Sequence, residues 1–88
     1  MNTFNNISNN NKYQVSKIRK VAVHGATGSI GLNTLEVIRQ FPQYFKVEAL
    51  SCKDSIEKLR EQIFEFRPRL VCVECSNRAR ELRDSFDH

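Results

Sequence analysis

The stretch Val21–Gly31, VAVHGATGSIG, carries all three glycines of the chain, spaced three apart at Gly25, Gly28 and Gly31. A small apolar run precedes them and a helix-like pattern follows. The first turn of a helix has backbone N–H groups without intrahelical partners, beside the positive end of the helix dipole. A phosphate fits there when no side chain bars its approach. In this reading Gly25 permits the tight turn out of the strand and Gly28 lets the backbone come close to a pyrophosphate. Gly31, one turn into the helix, lets helix and strand pack closely. Thr27 and Ser29 add hydroxyl donors. The spacing suits a backbone cradle for a dinucleotide, and its place between a strand and a helix is the required context.

The end of the second strand sets the choice of dinucleotide. An Asp or Glu there holds the ribose 2′-hydroxyl of NAD. Here the run is EALSCKDS, and Ser51, Cys52 and Lys53 occupy the adenosine-ribose corner. A lysine pairs with a 2′-phosphate that a carboxylate would repel, so the sequence favours NADP. Asp54 reads instead as a helix cap, its carboxylate turned to the backbone. His24, with no partner carboxylate in view, reads as structural. Cys72 and Cys75 form a C-x-x-C, yet no second pair completes a zinc site. Within LVCVEC they read as small apolar filler, and three cysteines in all give no disulfide framework.

These groups need elements to position them. Residues 1–16 are Asn-rich, with Asn at six of the first eleven positions, and lack apolar periodicity; they read as a flexible extension. From Lys17 onward the pattern is regular. A strand over Ile18–Val23 is ended by Gly25. Ile30, Thr34, Val37, Ile38 and Phe41 recur at helical spacing as one apolar stripe, and Pro42 stops that helix. Phe45–Leu50 is a second strand. Asp54 and Glu57 form a capping-box-like start to a helix bearing Ile56, Leu59, Ile63 and Phe66, closed by Pro68. Leu70–Val73 is a third strand, a continuous apolar run of the kind buried on both faces of a parallel sheet. Asn77–Phe86 begins a third helix. The order βαβαβα is the first half of a doubly wound, Rossmann-like parallel α/β sheet, truncated, so residues 17–88 form a partial dinucleotide-binding domain.

Composition narrows the classes. The net charge is +4, but basic residues are dispersed, and Arg78, Arg80 and Arg83 alternate with Glu81, Asp84 and Asp87 in the manner of a solvated helix face. That speaks against nucleic acid as a partner. No apolar run approaches the roughly 18 residues that span a bilayer, and the N-terminus has no secretory apolar core. A soluble, cytoplasmic protein is expected. The first acidic residue is Glu36, as in some organelle-targeting segments, but no Arg precedes Arg19, which argues against a transit peptide.

Gly25-Ala26-Thr27-Gly28-Ser29-Ile30-Gly31, the helix with Thr34-Leu35-Glu36-Val37-Ile38, the Phe41-Pro42 to Phe45 turn and Phe66-Arg67-Pro68-Arg69 together resemble the N-terminus of the 1-deoxy-D-xylulose 5-phosphate reductoisomerase family, over about Lys17 to Leu82. The resemblance implies an oxidoreductase of the non-mevalonate route of isoprenoid synthesis. It would rearrange 1-deoxy-D-xylulose 5-phosphate and reduce the product with NADPH to 2-C-methyl-D-erythritol 4-phosphate. It also implies Mg²⁺ or Mn²⁺ in the full-length enzyme, and a homodimer. By motif match Thr27, Gly28, Ser29 and Ile30 would contact NADPH, and Ser51–Ser55 would hold the adenosine ribose and 2′-phosphate. That loop departs from the family pattern of a small residue, Gly, a variable residue and Asn. Here it reads Cys52, Lys53, Asp54 and Ser55; a glycine and an amide are lost, and Lys53 supplies charge.

The family's metal ligands, substrate-phosphate site and lid lie beyond these residues. The expectation is therefore an NADPH-binding fragment of such an enzyme, inactive alone. Its rivals are a fragment of another NADP-dependent dehydrogenase, such as aspartate-semialdehyde dehydrogenase, and a non-catalytic nucleotide-binding module. The first lacks Ser29-Ile30-Gly31 combined with Phe66-Arg67-Pro68. The second is disfavoured by the open apolar edge of an unfinished sheet.

Overall fold

The computed structural model describes residues 18–86. The Asn-rich stretch 1–16 lies outside the described residues, as do Lys17, Asp87 and His88. Six elements follow in the expected order: β1 (Arg19–Val23), α1 (Ser29–Gln40), β2 (Phe45–Cys52), α2 (Ile56–Phe66), β3 (Leu70–Val73) and α3 (Ser76–Ser85). The strands pair in parallel in the order β1-β2-β3. Parallel neighbours need crossovers, and the helices supply them. No helix among the described residues is long and apolar enough to cross a membrane.

Register decides which side chains enter the core. Val21 pairs with Val47, but Ala22 pairs with Ala49, so Glu48 is inserted as a bulge. A bulge inverts the alternation beyond it. Val47, Leu50 and Cys52 consequently all point inward and are buried, whereas Ala49 and Ser51 face the other way. Arg69 braces the bulge: its N–H donates to the Glu48 carbonyl (2.9 Å) and its guanidinium pairs with the Glu48 carboxylate (3.1 Å).

The core is one cluster drawn from the inner sheet face and all three helices: Val23, Val47 and Leu50 below; Leu35, Ile38, Ile56, Leu59 and Leu82 above. The sheet is thus clad on one face. On the other, Ala22, Ala49 and Leu70 form one row, and Ser51 and Cys72 the next. Leu70 is 64% exposed and Cys72 is also exposed, so the two-sided burial expected of LVCV is not found. The reason is geometric: every helix among the described residues packs on the inner face.

The α1 stripe also differs from expectation. Of the expected stripe only Ile38 is buried, and it faces the core with Gly31 and Leu35, while Ile30 is 81% exposed and Val37 and Phe41 are exposed too. Both stripes have helical period, and the small Gly31 that brings α1 onto the turn selects which one faces inward. The Asp54 cap is likewise absent. Ser55 is the N-cap of α2, no side chain caps it, and the Glu57 carboxylate accepts from Arg78 of α3 instead (2.8 Å).

Polar clasps tie the helices laterally. Arg39 of α1 bonds Glu65 of α2 (Nη2–Oε1 2.8 Å) and also pairs with Glu36. The rings of Phe64 and Phe86 pack on each other, 5.5 Å between centroids, and Arg60 lies against both, 5.1 and 5.0 Å from their centroids, and donates to Ser85 Oγ (3.1 Å). This three-way cluster fastens the end of α3 to α2.

Burial ranks the consequences of substitution. Leu59→Ala, at a site with no exposure, is expected to cost about 2–5 kcal/mol, whereas Leu70→Ser stays within about 0.5 kcal/mol, both read by urea denaturation. The hydrogen bond from Arg39 holds the Glu65 carboxyl below the usual glutamate range. A depressed folded-state pKa gives stability that is present above the unfolded value and lost as pH falls through the folded one. Stability is therefore expected to decline on acidification below about pH 4–5, and Glu65→Gln to flatten that limb of the pH–stability curve.

Candidate functional site: the first βα turn

Gly25 stands at φ +63°, a left-handed conformation that L side chains rarely adopt, and it turns the chain out of β1. Ala26, completely buried, is held from three sides. Its N–H donates to the Ser51 carbonyl at the end of β2 (2.8 Å). Its carbonyl accepts from Gln62 Nε2 of α2 (2.8 Å). Gly31 of α1 presses on it: a Cβ built there would lie 2.2 Å from the Gly25 carbonyl oxygen and 2.7 Å from Ala26 Cα. The close approach expected of Gly31 is therefore present, although its partner is the turn backbone and not the strand.

Gly28 is the N-cap of α1, with φ −85°, and no side chain caps the helix. Its own N–H is used by the Gly25 carbonyl (3.0 Å). The first-turn amides of Ser29, Ile30 and Gly31 are those that helix geometry leaves without intrahelical acceptors. A Cβ at Gly28 would meet only the Gly25 carbonyl oxygen, at 3.5 Å, an ordinary contact, so packing within the turn does not itself demand a glycine there. Gly28, Ser29 and Ile30 are exposed and Thr27 is half-buried. No acidic residue lies in the first turn of α1. The local charge is thus the positive helix end, suited to an anion.

The Ser51–Ser55 segment abuts this turn through the Ser51–Ala26 bond, so the structure brings together the two segments singled out from the sequence. Lys53, Asp54 and Ser55 are exposed. Ser51 Oγ is hydrogen-bonded to His24 Nδ1 (3.0 Å), which gives His24 a hydroxyl partner and ties the end of β1 to that of β2. Cys52 is different. Its side chain is 3% exposed and belongs to the core, and burial pushes its thiol pKa up. Only its backbone borders the site, because the Glu48 bulge turned its side chain inward.

Two positioning groups escaped the sequence reading. Gln62 is buried at an inward position of α2, between Leu59 and Phe66. A polar residue at that place in an otherwise apolar stripe was the available signal. Arg78, read as part of a solvated face, reaches back to the Asp54 carbonyl (3.2 Å) and Glu57. With the Cys75 N–H on the Lys53 carbonyl (3.0 Å), it fixes the Ser51–Ser55 loop from α3.

The three glycines should differ in tolerance. Gly31→Ala forces backbone apart and is expected to cost about 1–3 kcal/mol or more, Gly25→Ala about 1–2 kcal/mol through its positive φ, and Gly28→Ala less than about 1 kcal/mol. Urea denaturation of the three variants checks that order.

Comparison with known proteins bears on the same residues. The family model for 1-deoxy-D-xylulose 5-phosphate reductoisomerase matches residues 21–88. The reductoisomerase of Thermodesulfovibrio yellowstonii is 52% identical over 66 residues, covering 75% of this chain and 17% of that protein. That of Shouchella clausii is 42% identical over 69 residues, covering 78% and 18%. A crystal structure of DOX-P reductoisomerase in complex with magnesium superposes with a TM-score of 0.68 at 32% identity, covering 78% of this chain and 18% of that one. The chain thus spans about a sixth of the length of the relatives it matches. Its glycine turn, its three parallel strands and this match over most of its length place it in one family: the chain belongs to the 1-deoxy-D-xylulose 5-phosphate reductoisomerases.

Proposed function

We propose that this chain binds NADPH at the first βα turn and supplies the cofactor-binding part of the family's reaction, the NADPH-dependent conversion of 1-deoxy-D-xylulose 5-phosphate to 2-C-methyl-D-erythritol 4-phosphate in isoprenoid synthesis. The observation that carries this reading is the N-terminus of α1, which has Gly28 as its N-cap and is capped by no side chain. NADPH supplies the hydride when bound. The residues here bind and orient it: the amides of Ser29, Ile30 and Gly31, with the hydroxyls of Thr27 and Ser29, take the diphosphate. Lys53 and Ser51 take the ribose 2′-phosphate. Lys53 is exposed at the end of β2 and carries the charge that discriminates against NADH.

The divalent ion of the family has no place among these side chains. Among the described residues no group of three or more His, Cys, Asp or Glu converges on a point where a metal ion could be held. The metal-assisted rearrangement is therefore assigned to parts of the family's fold outside these residues, and no step of it is drawn through this chain.

Calorimetric titration of the chain with NADPH and NADH tests the reading. NADPH is expected to bind more tightly by about tenfold, a 1.4 kcal/mol preference, and Lys53→Ala to abolish the difference. Gly28→Ala is expected to retain the fold and weaken NADPH by about tenfold or more, since its methyl group intrudes where the diphosphate would approach. Equal affinity for both dinucleotides removes the role of Lys53. Absence of binding to either removes the reading.

A further inference from the structure

Gln62 is 7% exposed, the one buried polar side chain of the described core. Its amide nitrogen donates to the Ala26 carbonyl, 36 residues away in sequence, while its oxygen Oε1 is buried without a partner. An apolar residue of similar shape would remove that orphaned oxygen, so packing alone does not account for a glutamine here. What the glutamine provides is a donor for the carbonyl of a completely buried turn residue. Ala26 directly follows Gly25, which sets the turn, and stands two residues before Gly28, the N-cap of α1. The peptide on its other side is already fixed by the Ser51 carbonyl.

We infer that Gln62 is the positioning residue of the cofactor turn: by tying the Ala26 carbonyl to α2, it fixes the peptide planes of Ala26–Gly28 so that the α1 amides converge on one phosphate. This rests on the NADPH reading above and deepens it. Gln62 touches no ligand in this scheme and acts through Ala26 alone. The 2′-phosphate corner, assigned to Lys53 and Ser51, has a brace of its own in Arg78 of α3, which donates to the Asp54 carbonyl.

The test separates the two parts of the site. Adenosine 2′-monophosphate carries the ribose phosphate without the diphosphate, so it probes the Ser51–Ser55 loop but not the turn. In Gln62→Met, which keeps the shape and loses the donor, NADPH affinity is expected to fall about tenfold while affinity for adenosine 2′-monophosphate is unchanged. Amide hydrogen exchange by NMR is expected to quicken at residues 25–31 alone, with Val47 and Leu50 as protected as before. Gln62→Leu, which lacks the donor too, should behave alike.

Equal weakening of both ligands, or faster exchange throughout β1 and β2, overturns the inference in favour of a general packing role. Unchanged NADPH affinity with unchanged exchange at the turn also overturns it. Failure of the unmodified chain to bind NADPH sinks the cofactor reading instead, and is distinguished because it occurs before any substitution is made.

Discussion

The contact between Gly31 and the backbone of Gly25 and Ala26 governs the rest of this structure. With no Cβ on the third glycine, α1 settles directly on the turn that precedes it, at a separation no side chain could share. That approach orients the helix so that Leu35 and Ile38, and not Ile30 and Val37, meet the sheet. It also sets the direction in which the unpaired amides of the first helical turn point. Packing and site geometry are thus two results of one steric fact, and the glycine cannot be spared for either.

The turn is a place where three elements converge on a single residue, Ala26. Strand β2 accepts its N–H, α2 donates to its carbonyl, and α1 lies against its Cα. A loop of this kind would otherwise be the softest part of the chain, since its residues have the widest choice of backbone conformation. Hydrogen bonds on both peptides that flank the buried Ala26 remove that choice. The loop after β2 is restrained more loosely, from outside the core, by Arg78 and the amide of Cys75. Its side chains face solvent, which suits a charge that must select a partner and not fill a cavity.

The one-sided sheet follows from the placement of all three helices on the same face. Burial is concentrated there, and the apolar residues of β3 alternate between the core and open surface. Between helices, stability is helped by exposed ion pairs and by the cluster of Arg60 with Phe64 and Phe86, contributions that are individually small beside burial of Leu35, Leu50 and Leu59.

The amino-acid sequence alone determined the element order, the parallel α/β class and the place of the glycine turn, because each rests on local rules. Proline fixes helix ends, positive φ selects glycine, and apolar period distinguishes strand from helix. The family resemblance was legible for the same reason: its motifs are contiguous. Choices between locally equivalent options belonged to the tertiary structure. Two helical stripes on α1 were equally periodic, and only the contact of Gly31 with the turn selected one. Ser51 and Cys52 were adjacent candidates at one strand end, and the bulge at Glu48, an event of pairing between strands, sent one toward His24 and the other into the core. Gln62 reached Ala26 across 36 positions, a distance no local pattern encodes, because that hydrogen bond exists only once α2 has been laid across the sheet.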